Sequence, residues 1–268
     1  MAFLTLPDGA RIAYDEHDFT EPWRPARPVI LVHGFSKNRR FWYDWIPALA
    51  RRYRVINLDQ RGHGDSSLPP RDFTMGLEPF AADLVGALDQ LGLDAATFVM
   101  AEFSSSVAVE LAARYPGRVR ALVLPGFGYN WRASPAVDWE GWARTAEREG
   151  AEQWARQTNH LRLPRDADPE LREWYVTQQA RVPGWLLAKV FRYAGQLDLT
   201  PRLPLVKAPT LILTGSESQQ DTLESVRRAA GRMPRAEMVV LEGAPFNVMS
   251  ARPADSIAAT LAFLERNA

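Results

Sequence analysis

The chain has 268 residues, of which 46% are hydrophobic, 24% charged and 10% aromatic, so it is long enough for a large core and lacks the signature of a disordered or collagen-like protein. Thirty-two basic residues balance 32 acidic ones, giving a formal net charge of zero and none of the basic surplus a nucleic-acid or anionic-membrane binder needs. The absence of cysteine removes disulfides, thiolate nucleophiles and Cys-ligated metal sites.

The N-terminus, Met1 to Asp8, has no basic region followed by an apolar run of signal-peptide length, and no stretch approaches the ~20 apolar residues of a membrane helix. A cytoplasmic enzyme-sized protein is therefore expected. Pro7-Asp-Gly9 followed by Arg11-Ile-Ala-Tyr14 predicts an N-terminal antiparallel hairpin. Short apolar, β-branched runs then predict buried strands at Pro28–His33, Arg54–Leu58, Ala96–Met100, Val119–Leu124, Thr210–Thr214 and Glu237–Leu241. Helical periodicity falls at Glu78–Leu91, Val107–Tyr115 and Pro253–Glu265. The alternation predicts an α/β fold with a mostly parallel sheet covered by helices on both faces.

The alternation breaks between about Gly128 and Leu203, where helical patterns carry six of the nine tryptophans, Trp131, Trp139, Trp142, Trp154, Trp174 and Trp185. This predicts two parts: a core of residues 1–127 and 204–268, and a helical cap of residues 128–203. The cap tryptophans serve as the core of that segment, as walls of a pocket between cap and sheet, or as both.

Three local patterns stand in a telling order. His33-Gly34-Phe35 directly follows a buried strand, Asp59-Gln-Arg-Gly-His-Gly-Asp-Ser66 closes the next, and Arg252-Pro253 opens the last helical pattern. Together with the strand–helix order and the helical insert, they resemble the α/β-hydrolase superfamily. The resemblance is strongest to small single-chain members with a helical cap, such as C–C bond hydrolases, epoxide hydrolases and cofactor-free dioxygenases, and covers nearly the whole chain outside the cap. It implies an oxyanion hole made by the backbone N–H groups of Phe35 and of Phe103, the residue after the nucleophile. It also implies structural roles for His33, Arg61, His63 and Asp65.

At the three catalytic positions the chain departs from the pattern. Registering the strand Thr97–Met100 and the helix from Val107 without gaps puts Glu102 at the nucleophile position. Ser104 reaches that position only by a two-residue shift of the bend. Ser218 stands at the acid position, with Glu217 and Asp221 nearby, and Phe246 stands at the histidine position. Of the four histidines (His17, His33, His63 and His160), only His160 is free to reach a pocket.

Without a serine–histidine pair, ordinary ester hydrolysis is disfavoured. The leading expectation is Glu102 as general acid/base in an elimination, isomerisation, cyclisation or decarboxylation beside the oxyanion hole. A second is Glu102 as carboxylate nucleophile in an epoxide-hydrolase- or dehalogenase-like hydrolysis. A third, from another class, is a non-catalytic ligand-binding protein in which an arginine from the cap neutralises Glu102. The expected pocket residues are Ser36, Tyr129, Asn130, Trp131, His160 and Phe246. The expected ligand is a compact apolar or aromatic small molecule. No cofactor or metal is implied, since there is no Gly-rich phosphate loop or ligand cluster. Neither a nucleic acid nor a membrane is expected as a partner, and a homodimer is left open.

Overall fold

The computed structural model describes residues 1–134, 137–164 and 166–267. Eight strands form one sheet in the order β1-β2-β4-β3-β5-β6-β7-β8: β1 (Ala2–Thr5), β2 (Arg11–His17), β3 (Pro28–Val32), β4 (Arg54–Leu58), β5 (Ala96–Met100), β6 (Val119–Pro125), β7 (Thr210–Gly215) and β8 (Ala236–Leu241). The β1–β2 hairpin is antiparallel, β2 joins β4 antiparallel, and every pair from β4 to β8 is parallel. The strands predicted from apolar runs match the observed ones to within a residue or so. The difference is β8, which is mostly half-buried because it lies at the sheet edge and lacks a neighbour on one side.

Among the described residues, ten α-helices follow in chain order: α1 (Ile46–Leu49), α2 (Leu77–Gln90), α3 (Ser104–Arg114), α4 (Trp139–Glu149), α5 (Ala151–Thr158), α6 (Pro169–Gln179), α7 (Gly184–Ala194), α8 (Leu223–Ala230), α9 (Val248–Ala251) and α10 (Pro253–Asn267). The period-two alternation of side chains sorts the central strands into two cores. Ile30, Val32, Phe98 and Met100 face α2, α3 and α8, whereas Val29, Leu31 and Val99 face α1, α9 and α10. Among the described residues no helix is long and apolar enough to cross a membrane.

Between β6 and β7 the chain builds α4 to α7, which hold a core of their own around Trp154, Val176, Leu186, Leu187 and Phe191, with Trp139, Trp142 and Trp185 packed against it. Trp131 joins the main core and Trp174 packs on the other sheet face. The aromatic wealth of this stretch is thus divided among three places.

A buried polar cluster pins the loops after β3 and β4, which carry part of the site. The fully buried Asp59 accepts from Arg39 N at 2.6 Å and Asp65 N at 2.9 Å and pairs with the Arg39 guanidinium. Arg39 also reaches Asp15 at 2.6 Å and Asp65 at 2.9 Å. Removing Asp59 leaves an imperfectly paired cation and two backbone donors without their acceptor. We expect Asp59→Ala to lose about 3–5 kcal/mol of stability, measured by urea denaturation; a loss below about 1 kcal/mol would show that the other two carboxylates suffice.

Candidate active site

The link from β5 to α3 is a sharp strand–turn–helix in which Glu102 takes φ 54°, a left-handed conformation that costs a non-glycine residue energy and is held only by its surroundings. Glu102 N donates to Pro125 O at 2.9 Å, and Ser105 N donates back to Glu102 O at 2.9 Å. Among the described residues the one other non-glycine with positive φ is Ser36, at 73°. Both line a single cavity.

The bend falls at Glu102, two residues before the serine of the shifted register. Ser104 sits at the first position of α3, fully buried, with Oγ donating to His33 O at 2.6 Å and accepting from Gln60 Nε2 at 2.8 Å. It ties β3's end to α3 and faces no histidine.

Two glycines make room for the Glu102 side chain. A Cβ added at Gly34 would lie 2.3 Å from Glu102 Oε2, and one at Gly126 (φ 72°) would lie 2.8 Å from Phe246 O and 3.4 Å from Glu102 Cγ. Between these backbones Glu102 Oε1 accepts a charge-assisted hydrogen bond from Lys37 Nζ at 2.8 Å. Oε2 accepts none among the described residues.

Lys37 is buried and also donates to Asn247 Oδ1 at 3.0 Å, while Asn247 Nδ2 donates to Tyr175 Oη at 3.0 Å. The ammonium lies 5.1 Å from the Phe41 ring and 5.4 Å from that of Tyr175. Burial lowers the Lys37 pKa, and the Glu102 carboxylate works against that shift. Burial raises the Tyr175 phenol.

Sequence reasoning missed Lys37, whose signal was available: it lies three residues beyond the His33-Gly34 turn in a chain with only three lysines. The expected neutralising arginine from the helical segment is corrected accordingly. The ion partner of Glu102 comes from the loop after β3.

The cavity lies between the sheet's C-terminal edge and α4 to α7, lined by Phe35, Ser36, Glu102, Phe103, Trp131, Trp139, Trp142, Trp154, Arg162, Phe191 and Phe246 among others. Its free centre is about 50 Å³ within a cleft of about 450 Å³. The floor is a chain of ring contacts: Phe35 to Phe103 at 5.0 Å, Phe103 to Trp131 at 5.3 Å and Trp131 to Phe246 at 5.7 Å between centroids. Neither Phe35 N nor Phe103 N donates to an acceptor among the described residues, so both amides are free for a ligand oxygen.

Three expected pocket residues are placed elsewhere. His160 is exposed on the turn after α5, because that turn points its side chain to solvent. Tyr129 is buried against Phe127 and bonds Ser225 Oγ at 3.0 Å. Asn130 forms a backbone bridge with Asp198 and does not line the cavity. Glu217 is exposed, and Ser218 Oγ accepts from Asp221 N at 3.3 Å. Asp221 is buried, which pushes its carboxyl up to about 8, yet it does not line the cavity either.

His33 and His63 are buried ties between loops, their Nδ1 atoms bonding Gly34 O at 2.8 Å and Arg61 O at 3.0 Å. No histidine lines the cavity among the described residues, and no group of three or more His, Asp or Glu converges to hold a metal ion.

Arg162, just after α5, is the second charge at the cavity. Its guanidinium lies 4.3 Å from the Trp154 ring and 5.6 Å from Trp142, and it donates to Thr158 Oγ1 at 3.0 Å and Asn159 Oδ1 at 3.2 Å. Burial pulls its pKa down to about 10, which the charge of Glu102 opposes.

Two predictions follow from these environments. Lys37→Met strands a buried carboxylate and should cost about 3–5 kcal/mol, whereas the double variant Lys37→Met/Glu102→Gln should recover most of that loss in urea denaturation; additive single effects would disprove the coupling. Burial holds His33 and His63 down to about 3 against an ordinary 6.5. The unfolded chain therefore binds protons that the folded one refuses, and stability falls as pH drops from 6.5 towards 3. The buried Asp221 carboxyl, pushed up to about 8, offsets the loss from one of the two histidines, so the net decline expected by pH about 4.5 is that of the other, and it should steepen in Asp221→Asn; a flat profile in that variant would contradict it.

A family model described as alpha/beta hydrolase fold matches residues 27–251. Among curated relatives, bifunctional epoxide hydrolase 2 of Mus musculus is 38% identical over 124 residues, which is 45% of this chain and 21% of that protein. The 2-hydroxy-6-oxo-2,4-heptadienoate hydrolase of Pseudomonas putida is 39% identical over 117 residues, 42% of either chain. The match thus spans less than half the length of these relatives. Among solved structures, the enol-lactonase from Burkholderia xenovorans LB400 superposes with a TM-score of 0.87 at 22% identity, covering 98% of this chain and 100% of that one. A hydrolase from Pseudomonas aeruginosa PA01 does so at 0.86 and 27% identity, covering 98% and 97%.

Proposed function

From the premise that this chain belongs to the α/β-hydrolase fold family, matched over residues 27–251, we propose that it is an enzyme of proton transfer, with Glu102 as general acid/base in place of the family's nucleophile. One observation carries the reading: a carboxylate held at the bend by Lys37 at 2.8 Å, with Oε2 unbonded, opening on an aromatic cavity that contains no histidine among the described residues.

In this reading the helices α4 to α7 act as a cap over a catalytic constellation whose serine, acid and histidine are replaced by Glu102, Ser218 and Phe246. A substrate carbonyl accepts hydrogen bonds from Phe35 N and Phe103 N. Glu102 Oε2 takes the proton from the adjacent carbon, and the electron pair of that C–H bond delocalises onto the carbonyl oxygen as an enolate. The proton then returns to another carbon, which gives isomerisation, or to a group departing from the β-carbon as that bond breaks and the enolate collapses to an enone, which gives elimination. Charge is conserved locally: the Lys37 ammonium balances Glu102 before the transfer and the enolate after it, so no net charge is created in the apolar cavity.

The partial likeness to epoxide hydrolases favours a second reading, attack by Glu102 on a strained or halogenated carbon. The ester so formed needs an activated water, and Phe246 and the Lys37–Asn247 pair supply no base for it. For that reason proton transfer is preferred.

Glu102→Gln keeps the shape and removes the proton acceptor. Exchange of α-hydrogens of small cyclic and aryl ketones in D₂O, followed by NMR, should proceed with the wild type and slow by about 10²- to 10⁴-fold in the variant. Undiminished exchange would defeat the acid–base role. A mass increase of one epoxide on Glu102 after incubation with styrene oxide would instead favour the nucleophile.

A further inference from the structure

Arg162 is a buried cation that lacks an acidic partner within ion-pair distance among the described residues. Buried arginines are ordinarily paired, because desolvating a guanidinium without a counter-charge is costly. Its hydrogen bonds go to neutral acceptors, Thr158 Oγ1 from both Nη atoms and Asn159 Oδ1 from Nη1, and Nε takes none among the described residues. Around it the donors are in excess. Trp154 Nε1 and Asn159 Nδ2 are both buried without an acceptor. Trp154 and Arg162 line the same cavity as Glu102.

The charge of that cavity is therefore lopsided. Glu102 is already balanced by Lys37 at 2.8 Å, which leaves the guanidinium as the uncompensated charge. A structural strut alone would account for the stacking on Trp154 and Trp142, but it would not account for a buried guanidinium on the cavity wall with no counter-charge within ion-pair distance among the described residues. An acceptor of charge −1 against Arg162 would supply that counter-charge. The remaining walls are mainly indole and phenyl faces, with Ser36, Gln220, Val190 and Ala194 among them, and suit the body of an aromatic or alicyclic ligand.

We propose that the ligand of this cavity is a monoanionic organic acid, its carboxylate bound by Arg162 in the helical roof and its ring body held between the tryptophans, with the reacting carbon presented to Glu102. The assignment deepens the reading of Glu102 as acid/base and rests on it for the placement of the reacting carbon. It adds a carboxylate to the compact apolar or aromatic ligand expected from the sequence. Arg162 is then the residue that selects acids over neutral analogues and sets which carbon meets the carboxylate.

The probes are benzoate, phenylacetate and 3-phenylpropanoate, each beside its carboxamide, which keeps the shape and loses the charge. Binding to the folded wild type is read by quenching of tryptophan fluorescence and by calorimetry. At least one acid is expected to bind ten-fold or more tightly than its amide. Arg162→Gln should weaken that acid ten-fold or more and leave the amide unchanged, with Arg162→Lys in between, since it keeps charge and loses the fork. Equal binding of acids and amides, acid affinity unaltered in Arg162→Gln, or no acid bound at millimolar concentration would each overturn the assignment. If Arg162→Gln fails to fold, the acid-to-amide preference of the wild type decides alone. Glu102→Gln separates the two readings: acid binding retained while ketone exchange persists would remove the acid–base role and leave Arg162 as the anion anchor, whereas loss of exchange with no acid preference in the wild type would do the reverse.

Discussion

A carboxylate buried at the sharp β5–α3 bend requires a counter-charge, and the structure supplies one from the loop after β3. Glu102 is raised on the β5–α3 turn, where its left-handed backbone fixes the direction of the side chain. Lys37 approaches from the loop after β3 and meets Oε1 at 2.8 Å. Desolvating either charge alone would be prohibitive, so each keeps the other in place. Asn247 and Tyr175 continue the contact behind the lysine and satisfy polar atoms that would otherwise be stranded under the sheet edge. The geometry of the cavity floor follows from that pair.

The surrounding scaffold is built to hold those two loops still. Asp59 gathers Arg39 and two backbone donors, His33 and His63 tie the turns together as neutral rings, and Ser104 fastens the start of α3 to His33. Three residues that could be mistaken for chemistry (both histidines and the serine) have their hydrogen-bonding capacity committed to backbone and to one another. The cavity, by contrast, is lined by groups with hydrogen-bonding capacity to spare: Glu102 Oε2, the amides of Phe35 and Phe103, and Nε of the Arg162 guanidinium. Uncommitted donors and acceptors, more than residue type, mark where a ligand belongs.

The helical segment over the cavity has a double use of its aromatics. Trp139, Trp142 and Trp154 pack with Phe191 and also wall the cavity, so the same side chains stabilise α4 to α7 and shape the space beneath them. A change in cavity shape by mutation there is coupled to stability, and the narrow centre of about 50 Å³ leaves little slack.

The strand runs and the glycine-bearing turns were legible in the chain itself, because their period and residue types answer to local backbone physics. Arg54–Leu58 and Ala96–Met100 match the observed strands residue for residue, and a gapless count from strand to helix put Glu102 at the bend. The partners of Glu102 were not legible. Lys37 is 65 residues away and Asn247 lies beyond three further strands, so their meeting depends on how β3, β5 and the loop before α9 are stacked. Nor could the chain reveal that His160, Tyr129 and Asn130 do not line the cavity while Arg162, two residues beyond His160, does. Which face of a helix or turn meets a cavity is decided by long-range packing. Local sequence sets backbone shape and residue chemistry; the pairing of buried charges is a property of distance in space, and only the tertiary structure fixes it.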